Sequence, residues 1–151
     1  GNAALDQGRE FQEKFDRVLV DAPCSGLGTL RRNPEIKWRL QPEDVRNIAA
    51  LQGKILASAA ACLRKGGKLI YSTCTVMPEE NEDIIRVFLQ EREDFRCGQL
   101  PVGMDTRLTD GKGFFRTSPH LHGTDGFFGA VLVKTGLKGR CPTLKLSLSR
   151  L

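Results

Sequence analysis

Apolar and polar positions along this chain follow two periods. Val18, Leu19 and Val20 form a continuous apolar run inside Phe15–Asp21, the pattern of a strand buried on both faces of a parallel sheet. Lys68–Cys74 repeats the design, an apolar strand running into a cysteine, and Phe127–Lys134 is a third strand. Between the first two, Val45, Ile48, Ile55, Leu56, Ala59 and Leu63 recur at helical spacing and predict a helix over Pro42–Leu63. Pro42 suits its first position, Glu43 and Asp44 suit the positive end of its dipole, and Gly66-Gly67 is expected to end it. A second helix is predicted from Pro78, with Ile84, Ile85, Phe88 and Leu89 on the face that packs on the sheet. A short strand is expected around Phe95–Leu100. Leu27–Leu40 and Pro101–Gly113 read as loops, residues 1–14 as polar and helix-compatible, and residues 137–151 as a basic, flexible tail.

Strand, helix and strand make a βαβ unit, which is right-handed with parallel strands in nearly all cases. Neighbouring strands lie about 4.8 Å apart, so the strand ends converge. Ligands of open α/β sheets sit beyond the carboxyl ends of the strands. Asp21, Cys24 and Cys74 are therefore placed at the mouth of one pocket.

Composition narrows the classes. With 151 residues, 40% hydrophobic and 27% charged, the chain reads as one soluble globular domain. No apolar run approaches the roughly 18 residues of a membrane span, and no secretory signal opens the chain, which excludes a membrane partner and points to the cytoplasm. Five cysteines without a Cys-x-x-Cys argue against a disulfide framework and a zinc site, and for a reducing compartment. A net charge of +5 is a mild pointer to a polyanionic partner and fits a solvated basic surface as well.

Two thiols and a carboxylate admit three uses. A redox pair is disfavoured by the missing Cys-x-x-Cys, and burial in the core is the ordinary fate of free cysteine, expected for Cys62. The third use is covalent catalysis on a base. A thiolate adding to carbon 6 of a pyrimidine makes carbon 5 enamine-like, able to accept a methyl group from a sulfonium; a base then removes the carbon 5 proton and the thiol leaves. An adjacent carboxylate can hold the ring edge.

The segments DAPCSGLGTLRRNPEIKW, YSTCTVMPEEN and HGTDGFFGAVLVK, in this order over residues 15–134, resemble the Sun (Fmu) family of RNA cytosine-5 methyltransferases, the bacterial ribosomal RNA branch in particular. The resemblance implies a partial class I, Rossmann-like methyltransferase fold of the α/β class, mostly parallel with one antiparallel C-terminal strand, and S-adenosyl-L-methionine as cofactor. It implies Cys74 as the nucleophile, Cys24 as the residue that assists product release, and Asp21 at the boundary of the cofactor and cytosine sites, with Pro23 also against the cofactor. Thr75 stands where the family has serine. The family's glycine-rich cofactor loop and ribose-binding acid have no counterpart before Phe15. Residues 1–136 are thus expected to be the C-terminal part of a catalytic domain, its Phe15–Asp21 strand left on an edge for a missing N-terminal half or a second copy to cover.

Arg31, Arg32, Lys37 and Arg39 surround Trp38, an interleaving suited to RNA phosphates and stacked bases. For Trp38 alone, burial in the core is the favoured expectation. Glu79, Glu80, Glu82 and Asp83 are read as complementing the helix dipole rather than holding a metal. His120, His122 and Asp125 are assigned a loop role. Two rival functions remain: a DNA cytosine-5 methyltransferase, whose Pro-Cys cysteine would be Cys24, and a noncatalytic RNA-binding remnant.

Overall fold

The computed structural model describes residues 11–136; the expectations for residues 1–10 and the 137–151 tail lie outside them. Five strands form one sheet: β1 (Phe15–Asp21), β2 (Leu63–Thr73), β3 (Phe95–Cys97), β4 (Phe115–Arg116) and β5 (Phe128–Lys134). The order is β1-β2-β5-β3, with β4 also paired to β5. β1 and β2 are parallel, whereas β2, β3 and β4 all pair antiparallel with β5. Four strands therefore run one way and only β5 opposes them.

The crossover helix is α2 (Pro42–Cys62), preceded by the single turn α1 (Ile36–Arg39); α3 (Glu82–Glu91) and the short α4 (Pro119–His122) follow. Pro42 opens α2 as expected, and the Gln41 amide donates to Asp44 Oδ2 at 2.8 Å. Val45, Gln52, Leu56 and Ala60 are its buried positions. Leu56 and Ala60 meet Val20, Leu69, Tyr71, Ala130 and Leu132 from the sheet, and Ile85 and Phe88 of α3 complete the same core.

Three local expectations are corrected. The helix ends at Cys62, and Leu63 already belongs to β2; Gly66-Gly67 lie inside an irregular stretch of that strand. Phe15 pairs with Leu63 and Arg17 with Lys68, so β2 spends extra residues there. Gly66 makes the excursion possible with φ of 79°, and a Cβ on buried Gly67 would lie 2.7 Å from Leu63 Cγ. The apolar run of β1 is not buried on both faces. Val20 faces the core, but Leu19 is 67% exposed beside Ile70, because α2 and α3 cover one face and β1 is a sheet edge. Cys62 is half-buried at the end of α2 rather than a core residue, its thiol 3.6 Å from the Ser58 carbonyl. Among the described residues no helix is long and apolar enough to cross a membrane.

Candidate active site

The parallel pairing of β1 with β2 sets Asp21 opposite Ser72, so the turns that follow both strands lie side by side. Cys24 Sγ and Cys74 Sγ are 3.1 Å apart, and the Cys74 amide also donates to Cys24 Sγ at 3.3 Å. Both cysteines are half-buried. Burial, then the hydrogen bond with Cys74, pushes the Cys24 thiol from an ordinary 9.0 up to about 12. Cys24 therefore keeps its proton at neutral pH.

The backbone around the thiols is laced to a third segment. Gly28 donates to the Cys74 carbonyl at 3.0 Å, and its own carbonyl accepts from Gly126 at 2.8 Å. Gly126 belongs to the segment before β5, so the three motifs separated in sequence meet at one point.

Below the thiols lies a buried carboxylate. Glu80 is fully buried in the turn before α3. Its Oε1 accepts from the Ser25 amide at 2.7 Å and from Gln52 Nε2 at 3.2 Å. Its Oε2 accepts from the Ser25 hydroxyl at 2.5 Å and the Thr75 hydroxyl at 3.0 Å. Gln52 Nε2 also donates to the Pro23 carbonyl at 2.8 Å. The dipole reading holds for Glu82 and Asp83, which sit in the first turn of α3. It is corrected for Glu80, whose side chain turns inward to these donors. Two signals in the sequence point here: a hydroxyl residue follows each cysteine, and Gln52 interrupts the buried face of α2, where a polar side chain needs a partner.

The remaining predicted residues take distinct places. Asp21 is exposed and accepts from Ser72 Oγ at 3.1 Å; it makes no hydrogen bond to either thiol. Pro23 is exposed between Asp21 and Cys24. These two residues present an open carboxylate and an apolar ring at the carboxyl end of an edge strand, and so fit one wall of a site for a cationic, ring-containing cofactor. Arg31 donates to the Gly123 carbonyl at 2.8 Å and Arg32 pairs with Asp125, while Lys37 stands 5.5 Å over the Trp38 ring and Arg39 is exposed. Trp38 is 79% exposed, contrary to the expectation of burial. It sits on the one-turn helix α1, which has no buried residue. His122 serves its loop: Nδ1 accepts from the Ser118 amide at 2.9 Å, and Nε2 is 2.9 Å from the Arg107 carbonyl.

Four strands running one way with one reversed among them, and paired thiols past the carboxyl ends of the parallel neighbours β1 and β2, give a Rossmann-like α/β unit. Solved structures agree. A methyltransferase homolog protein from Pyrococcus horikoshii superposes with a TM-score of 0.66 at 32% identity, over 88% of this chain and 43% of that one. The family model for 16S rRNA methyltransferase RsmB/F matches residues 3–133, and the chain belongs to that family. It is 42% identical over 139 residues to the probable ribosomal RNA small subunit methyltransferase B of Bacillus subtilis, covering 88% of this chain and 31% of the relative. It is 44% identical over 126 residues to the like-named protein of Synechocystis, covering 81% and 28%. The chain spans about three-tenths of the length of these curated relatives.

Proposed function

We propose that the chain carries the thiol centre of a cytoplasmic enzyme that methylates carbon 5 of cytosine in ribosomal RNA. The observation that carries this reading is the 3.1 Å approach of Cys24 Sγ to Cys74 Sγ at the ends of two parallel strands. Cys74 is the nucleophile. Its thiol gives up its proton to solvent, its sulfur bonds to carbon 6 of cytosine, and the electron pair of the 5,6 double bond moves to make carbon 5 nucleophilic. S-adenosyl-L-methionine supplies the methyl group when bound, and Asp21 and Pro23 would hold it. Loss of the carbon 5 proton to a base then restores the double bond as the bond between carbon 6 and the Cys74 sulfur breaks. Cys24 keeps its proton and donates it in a hydrogen bond to the departing Cys74 sulfur, which assists release. The DNA-type alternative makes Cys24 the attacking thiolate, and covalent trapping in single-cysteine variants separates the two.

Arg31, Arg32, Lys37, Arg39 and exposed Trp38 form the RNA-facing loop in this reading. The test is product analysis. The protein as encoded in the cell is incubated with small-subunit ribosomal RNA and methyl-labelled S-adenosyl-L-methionine, and the RNA is digested to nucleosides. Label in 5-methylcytidine, lost in Cys74→Ala, is expected. Label only in another methylated nucleoside contradicts the proposal.

A further inference from the structure

We propose that Glu80 is the positioning residue of the two-thiol site, holding the Cys24 turn against the Cys74 turn and so setting the distance between the sulfurs. The inference rests on reading the thiol pair as a reaction centre, but its test does not require methyl transfer.

The case begins with cost. A fully buried carboxylate is expensive unless it is paired or saturated with donors. No hydrogen bond or ion pair links Glu80 to a lysine or arginine among the described residues; four polar donors from Ser25, Thr75 and Gln52 converge on it instead. An apolar side chain of similar volume would fill the space without that cost. What only two fixed acceptor oxygens can do is reach both cysteine turns together. Ser25 directly follows Cys24, and Thr75 directly follows Cys74. Their hydroxyls share Oε2 and lie 2.8 Å from each other, although 50 residues separate them in sequence. Gln52 extends the clamp to the other side of Cys24 through the Pro23 carbonyl. Glu80 is itself anchored, because Tyr71 donates its hydroxyl to the Glu80 carbonyl at 2.8 Å.

The effective concentration of one thiol for the other reports their placement directly. A Cys24–Cys74 bridge forms when the two thiols pass two protons and two electrons to glutathione disulfide, which leaves as two glutathione thiols. The folded 151-residue chain is equilibrated over a series of glutathione ratios, and the bridged fraction is read by peptide mass spectrometry. Glu80→Ala is expected to lower the effective concentration about tenfold or more, since hydrogen bonds to a charged group that fix the geometry are removed. Thr75→Val, which cuts the link from the Cys74 turn, is expected to lower it severalfold, and Thr75→Ser, which keeps the hydroxyl, to leave it unchanged. Phe95→Leu, a core truncation in β3 that reduces overall stability, is expected to leave it unchanged as well. If Glu80→Ala does not fold, the two Thr75 variants decide. Equal bridging in Thr75→Val and Thr75→Ser, or in a folded Glu80→Ala and the parent, overturns the proposal. A fall in effective concentration alongside RNA that carries no 5-methylcytidine would overturn the functional reading and leave the positioning role standing.

Discussion

Gly28 and Gly126 pass so close that neither can carry a side chain. A Cβ built on Gly28 would stand 2.0 Å from the Gly126 carbonyl oxygen and 2.7 Å from that of Cys74, and one on Gly126 would stand 3.0 Å from Gly28 Cα. The obstacles at Gly28 are all backbone atoms, so no rotamer change relieves that clash; a Cβ on Gly126 would also meet Val76 Cγ1 at 2.7 Å. This close approach is what brings the segment before β5 onto the thiol turns.

Gly28→Ala is therefore expected to destabilise the fold by about 3 kcal/mol, the upper part of the range for overpacking, and to disturb the thiol pair. Gly53→Ala is the control. Nothing lies within 4 Å of its added Cβ, in the middle of α2, and it is expected to stabilise by about 0.5–1 kcal/mol. Urea unfolding of both variants checks the contrast.

Alkaline pH should weaken the fold through Cys24. Its thiol titrates near 12 in the folded protein and near the ordinary 9.0 when unfolded. The unfolded chain thus loses its proton first. Stability is fully present below about pH 9 and is lost as pH rises toward 12. Burial also pushes the Tyr71 hydroxyl upward, which adds to the same trend. Cys24→Ser should flatten, without abolishing, the fall in melting temperature between neutral and alkaline buffers. An identical slope in parent and variant would remove Cys24 from this account.

The loop around α1 divides its labour. Arg31 and Arg32 are tied to residues 123–125, whereas Lys37, Trp38 and Arg39 face outward. Replacing Lys37 and Arg39 with Ala should flatten the salt dependence of binding to single-stranded RNA, by about 0.7 for each phosphate that is no longer neutralised. Trp38→Ala should cost about 1–3 kcal/mol of binding if a base stacks there. Trp38 is the single tryptophan of the chain, so its fluorescence reports that stacking directly.

β1 is an edge with Leu19 and Ile70 exposed on one face, and such edges pair with other chains. The 151-residue chain is expected to self-associate through this edge, and Leu19→Lys to shift it toward monomer in sedimentation. A parent that sediments as a monomer would contradict the edge reading.

Much of the site was legible because it depends on local periods. The apolar runs ending at Asp21 and Thr73, with helical spacing between them, suffice to make β1 and β2 parallel neighbours and to bring Cys24 beside Cys74. Glu80 was not legible in the same way. A cluster of acids at a helix start has a local explanation in the dipole, and the donors that draw Glu80 inward come from Ser25 and Gln52, far away in sequence. Trp38 misled for a related reason: an aromatic residue is a good core candidate only if its element has a buried face, and α1 has none. Gly66-Gly67 looked like a helix stop because two glycines favour one, but Leu63 gains full burial by starting the strand earlier.

The central claim is that Cys74 attacks and Cys24 releases. It is tested most directly by presenting the protein as encoded with RNA containing 5-fluorocytosine, whose fluorine blocks loss of the carbon 5 substituent and traps the adduct. The parent should form a covalent protein–RNA complex, and Cys74→Ala should form none. With ordinary cytosine, Cys24→Ala should accumulate a covalent complex that the parent resolves. Trapping that survives in Cys74→Ala and disappears in Cys24→Ala would contradict the assignment and make Cys24 the nucleophile.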